Sequence, residues 1–247
     1  MKRIMIFSGT TEGRELSYLL ADKGAEVTVC VATEYGTEEQ GERAGVTVLT
    51  GRKTRAQMET ILRGFGLCVD ATHPYAVEVS KNIRAACEAA NATYCRLLRR
   101  ESGPESAASV SSAAEAAEYL RTTEGNVLLT TGSKDLGAYA ALDAERLYPR
   151  VLPSKESIAA CEAAGIPHRN IVAMQGPFSQ ELNEALIRQF RIAHVVTKDG
   201  GEAGGFPEKA RAARATGATL LVLRRPEETG RTFEEVAAFC GEWLECE

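Results

Sequence analysis

Residues 3–14 read Arg3-Ile4-Met5-Ile6-Phe7-Ser8-Gly9-Thr10-Thr11-Glu12-Gly13-Arg14, an apolar run halted by a turn of small and hydroxyl residues. Beyond the turn, Leu16, Leu19 and Leu20 make one helical stripe, and Gly24 supplies a stop. Strand, turn and helix in this order are the opening of a βαβ unit, and the pattern recurs along the chain. That alternation predicts an α/β fold with mainly parallel strands. Candidate strands lie near residues 3–8, 26–31, 46–50, 67–71 and 93–98, then 126–131, 146–151, 170–174, 193–197 and 218–223. Arg99 to Ser109, polar, small and aperiodic, separates the two sets and reads as a linker. Two Rossmann-like lobes of about five strands each are expected: residues 1–98, a linker 99–112, and residues 113–247. Phe7-Ser8-Gly9-Thr10-Thr11 is loosely echoed by Thr130-Thr131-Gly132-Ser133-Lys134.

Helix starts carry their own marks. Thr54-x-x-Gln57, Ser112-x-x-Glu115 and Thr232-x-x-Glu235 have capping-box form. Pro74 and Pro207 suit a first helical position, where a missing N–H is harmless. The last helix turns Val236, Phe239, Cys240 and Leu244 to one side.

Composition is that of a globular protein: 44% hydrophobic and 26% charged residues. With 29 Lys plus Arg against 34 Asp plus Glu, the net charge of −5 argues against nucleic acid as a partner, while a small anion needs only local cations. The seven cysteines are dispersed without a C-x-x-C pair and read as reduced thiols. The apolar start is cut off at Ser8, and no run approaches the ~18 residues of a membrane span. A cytoplasmic protein without membrane contact is expected. Three scattered histidines give no metal site. No heptad or extended apolar patch reveals an oligomeric state.

In open parallel sheets, ligands sit beyond the carboxyl ends of strands. Four loops there stand out. Ser8-Gly9-Thr10-Thr11-Glu12-Gly13-Arg14 offers close backbone approach and hydroxyls to a phosphate, or is an ordinary turn with a threonine cap. Asp70-Ala71-Thr72-His73-Pro74-Tyr75-Ala76 places hydrogen-bonding side chains at a helix entry, with His73 able to move a proton or merely to cap. Thr130-Thr131-Gly132-Ser133-Lys134-Asp135 adds a cation, a ligand contact or a solvated lysine. Thr197 to Lys209, with Gly200, Gly201, Gly204 and Gly205, demands backbone that bends tightly or lies against a ligand. Glu34, after the second strand, stands about where a ribose partner lies in dinucleotide folds.

These loops, in this order, resemble the precorrin-6A reductases of cobalamin biosynthesis, including those acting on cobalt-precorrin-6A. The carrying stretches are Gly9-Thr10-Thr11-Glu12, Asp70 to Ala76, Leu129-Thr130-Thr131-Gly132, and Lys198-Asp199-Gly200-Gly201 with Gly204-Gly205 and Glu208-Lys209. Ser8 stands where such proteins often carry a glycine, and Asp199-Gly200 replaces a small polar residue. The resemblance implies a site in an interlobe cleft, NADPH or NADH as cofactor, and hydride transfer to a C=C bond of the tetrapyrrole. On that footing Gly9, Thr10, Thr11, Glu12, Gly200, Gly201, Gly204 and Gly205 are expected to bind cofactor. Thr72, Tyr75, Arg52, Ser133 and Lys134 are expected to bind the carboxylate-edged macrocycle, and His73 and Lys198 to take part in catalysis.

Other classes fit less well. A short-chain dehydrogenase needs Tyr-x-x-x-Lys, and none of the seven tyrosines has a lysine four residues later. A methyltransferase would bind S-adenosylmethionine in place of a nicotinamide. A non-catalytic two-lobed sensor of nucleotide or tetrapyrrole is the remaining alternative, and only turnover separates it from an enzyme.

Overall fold

The computed structural model describes residues 2–99, 108–201 and 204–246. The chain forms two units, Met1–Arg100 with Pro226–Glu247, and Glu101–Arg225. In the first, β1 (Arg3–Phe7), β2 (Glu26–Val31), β3 (Val46–Thr50), β4 (Leu67–Asp70) and β5 (Thr93–Arg96) make a parallel sheet of order β3-β2-β1-β4-β5. In the second, β6 (Ala108–Val110), β7 (Asn126–Leu129), β8 (Leu147–Val151), β9 (Val172–Ala173), β10 (Ile192–Lys198) and β11 (Thr219–Leu223) make a parallel sheet of order β6-β11-β10-β7-β8-β9. The expected two-lobed α/β fold is thus present.

Both faces of the first sheet are covered, which is why its strands read as unbroken apolar runs. Ile4, Ile6, Val27, Val29, Leu67 and Val69 face one side, while Met5, Phe7, Cys30 and Cys68 face the other, against Met58, Leu62 and Ile83. Helix α1 (Thr11–Asp22) lays Leu16 and Leu20, both fully buried, on the first side. Such burial stabilises by roughly 1.5–3 kcal/mol per side chain.

The last helix corrects the expected division at residues 113–247. Residues Phe233–Glu245 form a helix whose Val236 and Cys240 join the core of the first unit, beside Leu16 and Leu20. Its approach is fixed by backbone pairing, Arg231 N donating to Arg96 O at 2.9 Å and Leu98 N to Arg231 O at 2.8 Å. Trp243 of this helix lies where a Cβ on Gly66 would stand 2.8 Å away. The physical reason is area: α1 alone leaves part of that sheet face bare, and an amphipathic helix covers it.

Two further departures are local. The expected linker 99–112 contains β6, which pairs in parallel with β11, while its residues 100–107 lie outside those described. Pro74 is not a first helical residue, because the helix after β4 spans Val77–Ala90 behind a turn. Capping is largely as read. Thr54 and Thr232 form full capping boxes, whereas Ser112 caps Glu115 N but the Glu115 carboxylate takes Ser111 N at 2.6 Å.

Candidate active site

The strand orders give each unit one point where the chain reverses its direction of travel across the sheet, between β1 and β4 and between β7 and β10. At such points neighbouring loops diverge and leave room for a ligand. The loops that follow these four strands are the four picked from sequence.

In the first unit, the Thr10 hydroxyl accepts from Gly13 N at 3.1 Å and donates to Ala71 O at 3.0 Å, joining the loops after β1 and β4. Gly13 is required for closeness to the sheet: a Cβ there would stand 2.4 Å from Ser8 Oγ and 2.9 Å from Ala71 Cβ. Gly9 is exposed, with open space at its Cβ position. Thr11 begins α1, and Glu12 in its first turn accepts from Arg99 Nε at 2.8 Å. Burial disfavours the Glu12 carboxylate, but the Arg99 bond, a backbone N–H and Thr10 outweigh it and hold its pKa below the usual value.

Beneath the second loop lies a buried ionic cluster that sequence reading missed. Asp70, fully buried, accepts through Oδ1 from Thr72 N (3.0 Å), Thr72 Oγ1 (2.7 Å) and Arg96 Nη1 (2.9 Å), and through Oδ2 from Tyr94 OH (2.9 Å). Arg96 Nη1 also donates to Thr72 O at 2.9 Å, and Nη2 reaches both oxygens of Glu228 at 3.1 and 2.9 Å. The Tyr94 phenol is held protonated by burial and by the Asp70 charge. Asp70 and Arg96 are register partners on adjacent parallel strands. The available signal was a charged residue at the carboxyl end of each of two strands.

The cluster carries Thr72, which is buried, and fixes the start of the turn that presents His73 and Tyr75, both half-buried. His73 Nδ1 accepts from Tyr75 N at 3.4 Å, which puts the neutral ring's proton on Nε2, and the two rings lie 5.5 Å apart. Helix capping is not its role, since Ala76 holds the cap position.

In the second unit, Lys198 Nζ donates to Asp135 Oδ2 at 2.7 Å and to Thr131 O at 3.3 Å, tying the end of β10 to the turn after β7. Asp199 accepts from Gly201 N at 3.0 Å and from Arg225 Nη2 at 3.2 Å. Of the four glycines, Gly200 answers a steric need, a Cβ there meeting Gly204 Cα at 3.3 Å, whereas Gly204 is exposed to open space. Gly205, at φ +64, begins α8 (Phe206–Thr216) without a side-chain cap. Glu202 and Ala203 of this loop lie outside the described residues.

The structure therefore brings Gly9, Thr10, Thr11 and Glu12 together with Thr72, and Lys198 together with the Thr130–Asp135 turn. Ser133 is half-exposed and Lys134 exposed on that turn. Arg52, exposed after edge strand β3, stands two strands from β1 and away from the reversal point. A groove of about 1030 Å³ runs beside β3, lined in part by Glu34, Glu38, Glu42 and Arg43. Its acidic lining suits no anionic ligand, and it includes none of the four loops. No group of three or more metal-ligating side chains exists among the described residues, and none of their helices is long and apolar enough to cross a membrane.

The model of the family described as Precorrin-6x reductase CbiJ/CobK matches residues 3–241. The cobalt-precorrin-6A reductase of Priestia megaterium is 35% identical, over 94% of this chain and 96% of its own. That of Salmonella typhimurium is 36% identical, over 98% and 96%. The precorrin-6A reductase of Rhodobacter capsulatus is 29% identical, over 94% and 91%. A solved structure described as CobK precorrin-6A reductase superposes with a TM-score of 0.78 at 27% identity, covering 98% of this chain and 97% of that one.

Proposed function

The chain belongs to the precorrin-6x reductase family, and from that premise we propose that it reduces a C=C bond of precorrin-6A, or of cobalt-precorrin-6A, with NADH or NADPH. A proton added at the neighbouring carbon completes the dihydro product. The observation that carries this reading is the arrangement of the strand-end loops: all four motif-bearing loops follow the strands that flank the two reversal points.

The nicotinamide supplies the hydride when bound, so the protein's own tasks are to hold, orient and exclude water. For the dinucleotide the fitting residues are Gly200, Gly201, Gly204 and Gly205, a glycine loop, exposed at Gly204, that leads into an uncapped helix start. Gly9, Thr11 and Glu12 are further cofactor contacts in this reading, with Thr10 holding their loop in place. Thr72, Tyr75, Ser133 and Lys134 orient the macrocycle, Lys198 its carboxylates, and His73 Nε2–H stands as proton donor.

Purified protein mixed with each cofactor and each form of the substrate tests the reading through loss of nicotinamide absorbance. Turnover is expected, and His73→Ala and Lys198→Ala should each lower it strongly. Stoichiometric binding with no oxidation of either cofactor would instead make the protein a sensor, and wild-type kinetics in both variants would remove those two residues from the site.

A further inference from the structure

We infer that Arg150 of β8 and Lys209 in the first turns of α8, both in the second unit, form a binding site for a phosphate group of the dinucleotide. The inference rests on the nicotinamide reading above and assigns it residues that the loop motifs alone do not.

Arg150 lies near the carboxyl end of β8, where ligands of parallel sheets gather, and is 6% exposed. Its Nη1 donates to Asn183 Oδ1 at 2.8 Å, and its guanidinium lies 4.1 Å over the Phe178 ring. Both partners are neutral. Phe178 in turn backs on to the helix start, its backbone standing 4.0 Å from where a Gly205 Cβ would be. Lys209, in the fourth position of α8, is close enough to Arg150 for the two charges to repel. Burial, that repulsion and only partial relief from Glu208 and Asp199 bring its pKa down to about 8, and burial brings Arg150 down to about 10.

The neighbouring carboxylates are already engaged. Glu208 pairs with Arg211 at 2.7 Å and Asp199 with Arg225 at 3.2 Å. Among the described residues, neither Arg150 nor Lys209 has a carboxylate within ion-pair distance. One buried and one half-buried cation that repel each other, with no carboxylate of the described residues within ion-pair distance, are unfavourable in the protein alone and become favourable around an oxyanion.

Phosphate is favoured over a substrate carboxylate by the helix beside them. The start of α8 has no side-chain cap, and Gly204 before it leaves its backbone open. Helix N–H groups, an ammonium on the same helix and a guanidinium from β8 together suit a group with oxygens in several directions. At α1, by contrast, Thr10 caps the start.

The test is calorimetric titration of the full chain with NADPH and NADH, and inorganic pyrophosphate as competitor. For Lys209→Gln and Arg150→Lys, dissociation constants for the dinucleotide should rise about ten- to a hundred-fold, the worth of one charge-assisted hydrogen bond. Lys209→Arg should keep most of the affinity. Wild-type affinity should weaken from about pH 7 to about pH 9 as Lys209 loses its proton, and Lys209→Arg should flatten that profile. The wild-type profile needs no variant to fold. Unchanged affinity in folded variants with a flat wild-type profile would overturn the site while leaving the nicotinamide reading intact. Intact dinucleotide binding with a raised KM for the macrocycle would reassign the pair to a substrate carboxylate and refute the phosphate. A wild-type protein that binds neither dinucleotide would sink both readings together.

Discussion

Replacing Arg96 by methionine should destabilise the first unit by about 3–5 kcal/mol, because it strands a carboxylate where no water reaches. Asp70 is fully buried and Arg96 is 5% exposed. Methionine keeps the apolar bulk but removes the bonds to Asp70, Thr72 O and Glu228. Asp70 keeps Thr72 N, Thr72 Oγ1 and Tyr94 OH as donors, yet loses its only cation within ion-pair distance among the described residues. Against a total stability of about 5–15 kcal/mol the loss is large, corresponding to a melting point lower by roughly 6 to 20 °C. Urea unfolding followed by fluorescence reads this unit selectively, since Trp243, the chain's one tryptophan, is partly buried against its core. Adding Asp70→Asn removes the stranded charge, so the double variant should lose at least about 1 kcal/mol less than the two single losses summed. A single-variant loss under about 1 kcal/mol, or strict additivity, would refute the claim that this ion pair holds the turn before His73.

Two other outcomes follow from the geometry. Gly13→Ala should cost about 1–3 kcal/mol by forcing a methyl against Ser8 Oγ at 2.4 Å and Ala71 Cβ at 2.9 Å, a loss exceeding the helix propensity gained, and adding Ser8→Gly should recover much of it in thermal melts. The Lys209 ammonium keeps its proton up to 10.5 when unfolded but only to about 8 when folded, so in that window the unfolded chain binds more protons and stability should climb with pH, by up to about 3 kcal/mol. Denaturant titrations of wild type at both ends of the window should show the climb, and Lys209→Met should lack it; identical pH profiles would contradict the burial of that charge.

The strands were legible because both faces of each sheet are covered, so that Ile4-Met5-Ile6-Phe7 and its counterparts stand out as unbroken apolar runs. The loops at the reversal points were legible because tight strand-to-helix turns select glycine and hydroxyl residues. What escaped depends on contacts distant in sequence. An amphipathic pattern in Phe233–Glu245 states that a face will be buried but not in which unit. Three residues of β6 carry too short a pattern to show as an edge strand. The pairing of Asp70 with Arg96 appears only once strand register is known, and the glycines of the loop after β10 could not be divided between steric need and open backbone until Gly200 was seen against Gly204.

That distinction bears on where an anion would settle. The net charge of −5 averages over both units and conceals a difference in pairing. In the first unit the buried charges are matched, Arg96 by Asp70 and Glu228, Arg99 by Glu12. In the second, Lys198 and Arg225 are matched by Asp135 and Asp199, but among the described residues Arg150 and Lys209 have only neutral neighbours or carboxylates bound elsewhere. Matched charges hold a loop in shape and have little left to offer a ligand. An unmatched, partly buried pair does the reverse, lowering the stability of the free protein and raising its affinity for whatever supplies the missing charge. Stability rising with pH and dinucleotide affinity falling with pH would then be two readings of one proton on Lys209, and they should move together in every variant that alters it.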